Sequence, residues 1–229
     1  MQNYTEQNRL QYFADILILI GFFVLSISLF TYASSFIVSL ISGIDFKTLT
    51  NAAYDFNQKS HVRAFYWINA LSSIGGFFVS AWLFILFKRY YFKQAINIRR
   101  PISAIVWPLI PILFISIIII SSWLNQLNIK LAELPAFSGL ISQGKTLGYL
   151  KSLLAHMNTG SELMVNMFFI ALIPAVCEEV FFRGVFQKLA IEFFGNVHIG
   201  IVITSFIFAL IHFNFIQILP MMFLAMVFG

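Results

Sequence analysis

Charge is what this sequence has least of. Asp, Glu, Lys and Arg make up 10% of its 229 residues, while 60% are hydrophobic. A soluble globular domain carries about 25% charged and about 45–50% apolar residues, so the composition argues against a soluble fold. The scarcity is also patterned, because no charged residue occurs in 16–44, 64–87, 101–129 or 193–229. A spanning helix needs about 20 apolar residues, so each of the first three intervals is long enough for one crossing. The fourth is broken by "HFNFIQILP", which suggests two.

Other absences narrow the chemistry. A single cysteine, Cys177, rules out an internal disulfide and reads as a small buried hydrophobe. There is no HExxH, CxxC, Walker-type loop or GxSxG, so zincin, dithiol-redox, nucleotide and serine-hydrolase readings lack their required groups. No internal repeat, Gly/Ser linker or low-complexity tract divides the chain, so 1–229 reads as a single membrane-embedded domain. The polar start "MQNYTEQNRL" is followed by an apolar stretch much longer than a signal-peptide core of about 7–15 residues, which indicates a retained first helix.

The net charge is +5, and five of the 14 basic residues, Lys88, Arg89, Lys93, Arg99 and Arg100, share one loop. That is a positive-inside segment facing the cytoplasm and anionic lipid, not a nucleic-acid surface. Spans are expected at about 12–42, 64–87, from Pro101 onward, 161–189, 197–213 and from near 215, with 43–62 and 124–160 external. The expected fold class is all-α, a polytopic transmembrane helical bundle of about six spanning helices. Leu150, Leu153, Leu154 and Met157 add a short interfacial helix. Pro101 suits a first helical turn, whereas Pro108 and Pro111 are expected to kink the third span. "TGSE" has the spacing of a capping box, with Thr159 as N-cap and Glu162 reaching back. The sixth span is barely complete at Gly229, so the natural chain is expected to continue.

Against this background "CEEVFFRG", 177–184, stands out. An ionised side chain near a bilayer centre costs about 2.5–3.5 kcal/mol, so Glu178, Glu179 and Arg183 unpaired would cost roughly 8–10 kcal/mol. Glu179 and Arg183 are i, i+4 in the favourable acid-first order and can neutralise each other. Glu178 is rotated about 100° away and needs a hydrated cavity or another polar partner, an environment that suits a general base. Pro174 cannot donate to the Ile170 carbonyl, so a kink beside the acidic pair is expected. In the next span Ser205, Phe208 and His212 share a face at i, i+3, i+7, and His212 can donate to a carboxylate, orient water or stabilise an oxyanion. Helical rise puts Glu178 ~15 Å and His212 ~22 Å along their spans, so the two could meet near mid-bilayer. The plainer readings remain open, namely a structural ion pair with an interfacial glutamate, and a histidine bonded to headgroups or water. His61 and Arg63 read as snorkelling boundary residues, His156 as interfacial, His198 as a loop residue and Asp15 as interfacial or capping.

Taken together, "EEVFFRG" and "FALIH" resemble the CAAX-protease and bacteriocin-processing (Abi) family of intramembrane proteases. Its EExxxR motif is met by Glu178, Glu179 and Arg183 with Gly184 following, and its FxxxH motif by Phe208 and His212. The resemblance covers the family-like core at about 161–229. It implies that Glu178 activates the attacking water, that His212 holds that water or the oxyanion, and that Glu179 with Arg183 braces the helix. It further implies a metal-free mechanism, so no cofactor and no metal are expected. The substrate would be a membrane-associated peptide or protein, lipidated or not. The setting would be a lipid bilayer, taken to be the bacterial cytoplasmic membrane, with no nucleic-acid partner. A third family motif, a later histidine with asparagine at i+4, has no counterpart up to Gly229. A noncatalytic self-immunity or scaffolding protein is the alternative, followed by a solute or proton carrier using Glu178 and His212.

Overall fold

In the computed structural model, residues 2–88, 107–132, 134, 159–212 and 214–229 are described. The expected interfacial helix at 150–157, His156, Pro101 and nearly all of the basic loop lie outside them. Every regular element among the described residues is helical. Helix α1 is Gln2–Ser42, α2 Phe46–Thr50, α3 Lys59–Phe87, α4 Leu109–Ala132, α5 Gly160–Phe194, α6 Val197–Ile211 and α7 Ile218–Val227. Four stretches, Arg9–Ser42, Lys59–Phe87, Leu109–Leu131 and Gly160–Phe194, are long and apolar enough to cross a membrane. The architecture is a polytopic helical membrane bundle. Helices α6 and α7 are apolar but short, with 15 and 10 residues. At 1.5 Å per residue they reach ~22 and ~15 Å, less than a hydrocarbon core of about 30 Å.

The chain divides into two compact units, Met1–Ile96 with Gly148–Leu189, and Asn97–Leu147 with Ala190–Gly229. In the first, α1 and α3 run antiparallel. Asp15, near the start of α1, meets Lys88, just past the end of α3, with Nζ–Oδ1 at 2.5 Å. Asp15 is therefore not a cap: it lies inside α1, is 4% exposed and is neutralised by a lysine from the neighbouring span. Further along, the Thr31 hydroxyl donates to Ser72 Oγ at 2.9 Å. The two helices pack so closely at Gly75 that a Cβ there would overlap Cβ and Cγ of Phe30. That close approach is what small residues provide in membrane helix pairs.

Helix α5 packs alongside α3 in the same direction. The hydroxyl of Tyr66 donates to Asn166 Oδ1, and Asn69 Nδ2 donates to the Phe169 carbonyl at 3.3 Å. Lower down, Phe77 of α3 meets Phe181 and Phe182 of α5, with ring centroids 5.7 and 6.1 Å apart. Phe23 of α1 closes the cluster at 5.0 Å from Phe77 and 5.2 Å from Phe181.

In the second unit, α4 packs on α7 and α6 on α7. A short 3-10 turn, Phe215–Gln217, links α6 to α7. Pro108 precedes α4 and Pro111 lies in its first turn, where an amide N–H has no intrahelical partner to lose. The expected mid-span kink is accordingly replaced by a helix start. His198, expected in a loop, lies in the first turn of α6, which Asn196 caps by accepting from the Ile199 N–H at 3.1 Å.

Candidate active site

Helix α5 begins where "TGSE" predicts. Thr159 Oγ1 accepts from the Glu162 N–H at 3.3 Å and α-helix starts at Gly160. The helix then departs from ordinary winding twice, becoming π-helical over Met167–Leu172 and again over Val180–Phe186. The first segment explains how Pro174 is tolerated. In i→i+5 bonding the donor for the Phe169 carbonyl would be the amide of residue 174, and proline has no N–H. The Asn69 side chain from α3 supplies the missing donor. Local π winding with a neighbouring side chain is a known way for membrane helices to re-satisfy backbone freed by proline. The helix continues through Pro174, so the expected kink takes the form of a widened turn.

Glu178 and Glu179 end the α-helical turn between the two π segments. Glu178 is half-buried, next to the buried Cys177. Glu179 pairs with Arg183, with Nε–Oε2 at 3.5 Å and side chains 55% and 16% exposed. The pair forms as its spacing implies. What seats the motif is the apolar pair inside it. Phe181 is 4% and Phe182 1% exposed, and both belong to the ring cluster with Phe23 and Phe77.

Phe208 and His212 lie in the second unit, at the end of α6. His212 caps that helix and is half-buried. Its Nδ1 lies 2.8 Å from the Phe208 carbonyl oxygen, and its ring centroid 4.7 Å from that of Phe208. A carbonyl only accepts, so Nδ1 carries the proton of this bond. In the neutral imidazole Nε2 then carries the lone pair, and in the imidazolium it is a second donor. The FxxxH spacing thus has a local use, since the i−4 carbonyl orients the ring and chooses its tautomer. Ser205, expected on the same face, is 2% exposed.

Residues carrying no charge were overlooked as site elements. Asn128 of α4 is 3% exposed and bonds at both ends of its amide, Nδ2 to the Phe215 carbonyl at 2.6 Å and Oδ1 from the Leu219 N–H at 3.1 Å. Asn69 and Asn166 do comparable work on α5. The signal was an amide inside a charge-free apolar interval. His61 does more than snorkel, as its Nδ1 accepts from the Asp55 N–H at 3.1 Å in the turn before α3. Among the described residues no three His, Cys, Asp or Glu side chains cluster as a metal site requires.

No curated protein and no solved structure matches the chain. Residues 160–229, which contain both motifs, match the family model of Rce1-like proteins, type II CAAX prenyl endopeptidase.

Proposed function

We propose that the protein is an intramembrane endopeptidase in which the Glu178 carboxylate activates water and His212 steadies the reacting oxygen. The family match over 160–229 carries this reading. In it, Glu178 takes a proton from water as the water oxygen attacks the peptide carbonyl, and the proton passes to the leaving amine as the C–N bond breaks. With Nδ1–H donating to the Phe208 carbonyl, Nε2 is the atom of His212 that works on the reacting oxygen, accepting from the water or, as imidazolium, donating to the oxyanion. Glu179 and Arg183 hold their turn of α5 and take no part in bond making. The substrate is a peptide at or within the bilayer. Lipidation of that peptide, a bacterial cytoplasmic membrane setting and a role in bacteriocin processing or self-immunity belong to the same proposal.

The test is cleavage in detergent by the full-length protein, with a prenylated peptide and a leader-bearing peptide as separate substrates. Loss of a general base costs about 10²–10⁴-fold in turnover, and loss of an oxyanion donor about 10²–10³-fold. Glu178→Gln and His212→Ala should both fall in these ranges. Turnover equal to wild type in both would remove the assignment. Absence of cleavage by the wild type, with immunity or transport retained, would favour the noncatalytic or carrier reading.

A further inference from the structure

The turn between α6 and α7 is a place where a membrane helix pair is weakest. His212 and residues 214–217 lie outside α-helical winding, and backbone groups released at such a turn are costly away from water unless protein satisfies them. The Phe215 carbonyl and the Leu219 amide are two such groups, and the single side chain of Asn128 binds both. Its Nδ2 donates to one at 2.6 Å while its Oδ1 accepts from the other at 3.1 Å, which closes a ring across the 3-10 turn. An amide can do this with one side chain, because Nδ2 donates while Oδ1 accepts. A carboxylate could only accept, and a hydroxyl has one oxygen to serve both bonds. Asn214 tightens the same turn, its Nδ2 donating to Gln217 Oε1 at 3.1 Å.

His212 lies three positions before the clamped carbonyl, at the end of α6. Its ring is tied to that helix by the Nδ1 bond, so the direction of Nε2 follows from how α6 ends and how the turn leaves it. We infer that Asn128 is a positioning residue for His212, acting through the clamped Phe215–Gln217 turn to fix the orientation from which the imidazole works. The inference rests on the role of His212 given above. It adds a residue from α4, outside the span of sequence that the family model matches. A misplacement of about 1 Å in a reacting group can cost ~100-fold in rate, so the expected effect lies in turnover and not in substrate affinity.

The experiment compares wild type, Asn128→Leu, Asn128→Asp and His212→Ala in the full-length protein. Turnover is expressed per folded molecule, and folded fraction is measured by thermal unfolding in detergent. Asn128→Leu removes both bonds at similar volume, and kcat should drop about 10–100-fold with KM within about twofold. Asn128→Asp keeps the acceptor for Leu219 N–H and loses the donor to Phe215, so its kcat should fall between Leu and wild type. A second readout needs no substrate: the ¹⁵N spectrum of the histidine rings, with the His212 signals identified by their loss in His212→Gln. Wild type should show a single set of His212 ring signals, and the Asn128 variants shifted or multiple sets from rings held in more than one orientation. Wild-type kcat per folded molecule in either Asn128 variant, with His212 signals unchanged, would overturn the inference. If His212→Ala itself turns over at the wild-type rate, the catalytic reading fails instead. The ring spectra then still report whether Asn128 orients His212.

Discussion

Glu178 sits in the middle of a 35-residue helix whose neighbours are phenylalanine rings, while His212 ends a 15-residue helix whose following turn is held by asparagine amides. The two proposed catalytic side chains are thus supported by different physics. Around Glu178, position comes from packing. Phe181, Phe182 and Phe186 are 4, 1 and 3% exposed, and the charged residues of the motif are carried on the same turns. Around His212, position comes from directional bonds, the Phe208 carbonyl on the ring and Asn128 on the turn. Packing tolerates a small shift of a ring at little cost, whereas a hydrogen bond lost inside a bilayer leaves a backbone group unpaired. The difference predicts that mutations near Glu178 act mainly on stability, and those near His212 mainly on geometry.

The strongest attempt to break that comparison is Phe182→Ala. A buried phenylalanine truncated in a soluble core costs about 3–5 kcal/mol. In a bilayer, lipid tails are as apolar as the interior, so the loss is mainly of packing contacts and should fall near the lower end, about 3 kcal/mol. Thermal unfolding in detergent should show it directly, while kcat per folded molecule stays within a few-fold of wild type. A stability cost under about 1 kcal/mol would mean that the ring cluster is not what seats the motif.

A smaller effect probes a place where an asparagine amide holds the backbone of α5, as one holds the turn after α6. Asn69→Leu leaves the Phe169 carbonyl without its side-chain donor, and interhelical bonds of this sort average about 0.6 and reach about 1.7 kcal/mol in membrane proteins. Pro174→Ala restores an N–H at the position from which π winding would serve that carbonyl. The cost of Asn69→Leu should therefore shrink toward zero in the Pro174→Ala background, as a double-mutant cycle would measure. An equal cost in both backgrounds would show that Asn69 acts through packing on α5 and not by replacing the proline's missing donor.

How much of this could be read beforehand follows from what hydropathy records. Charge-free intervals located α1, α3 and α4, because crossing length and lack of charge are one-dimensional properties, while α5, which carries the charged motif, was located by its capping sequence. The Thr159 cap and the Glu179–Arg183 pair were legible because both depend on spacing along a single helix. Three things were not. The π winding on either side of Glu178 leaves no trace in residue type except Pro174, and a proline alone does not say whether a helix bends or widens. Asn69 and Asn128 carry no charge, so a search for charge in apolar intervals passes over them, although their burial makes each bond consequential. Asp15 needed Lys88, 73 positions away, before its place in a hydrophobic helix made sense. A pairing at that distance is set by how α1 and α3 cross.

The mildest prediction concerns the rim of the Glu178 unit, where polar fastening is exposed to solvent and should matter least. Between α2 and α3, Asp55 Oδ1 accepts from the Asn57 N–H at 3.1 Å and from Asn57 Nδ2 at 2.9 Å. Its Oδ2 accepts from Gln58 Nε2 at 2.9 Å. These bonds favour the ionised form and hold the carboxyl below its ordinary value of 3.8, the Asn57 backbone N–H contributing most. A carboxyl lowered on folding stabilises the native turn fully above the unfolded value, and that contribution fades as pH falls through the folded value. Exchange of the Asn57 and Gln58 amides, taken relative to the intrinsic rate at each pH, should therefore be steady above about pH 5 and accelerate below about pH 4, with α3 itself unaffected. In Asp55→Asn the acceleration should disappear, because the neutral amide has no proton to gain. Acceleration of equal size in that variant would assign the acid sensitivity to another group. If it spread into the α3–α5 contacts at Tyr66 and Asn69, the division between a packed centre and a polar rim would not hold.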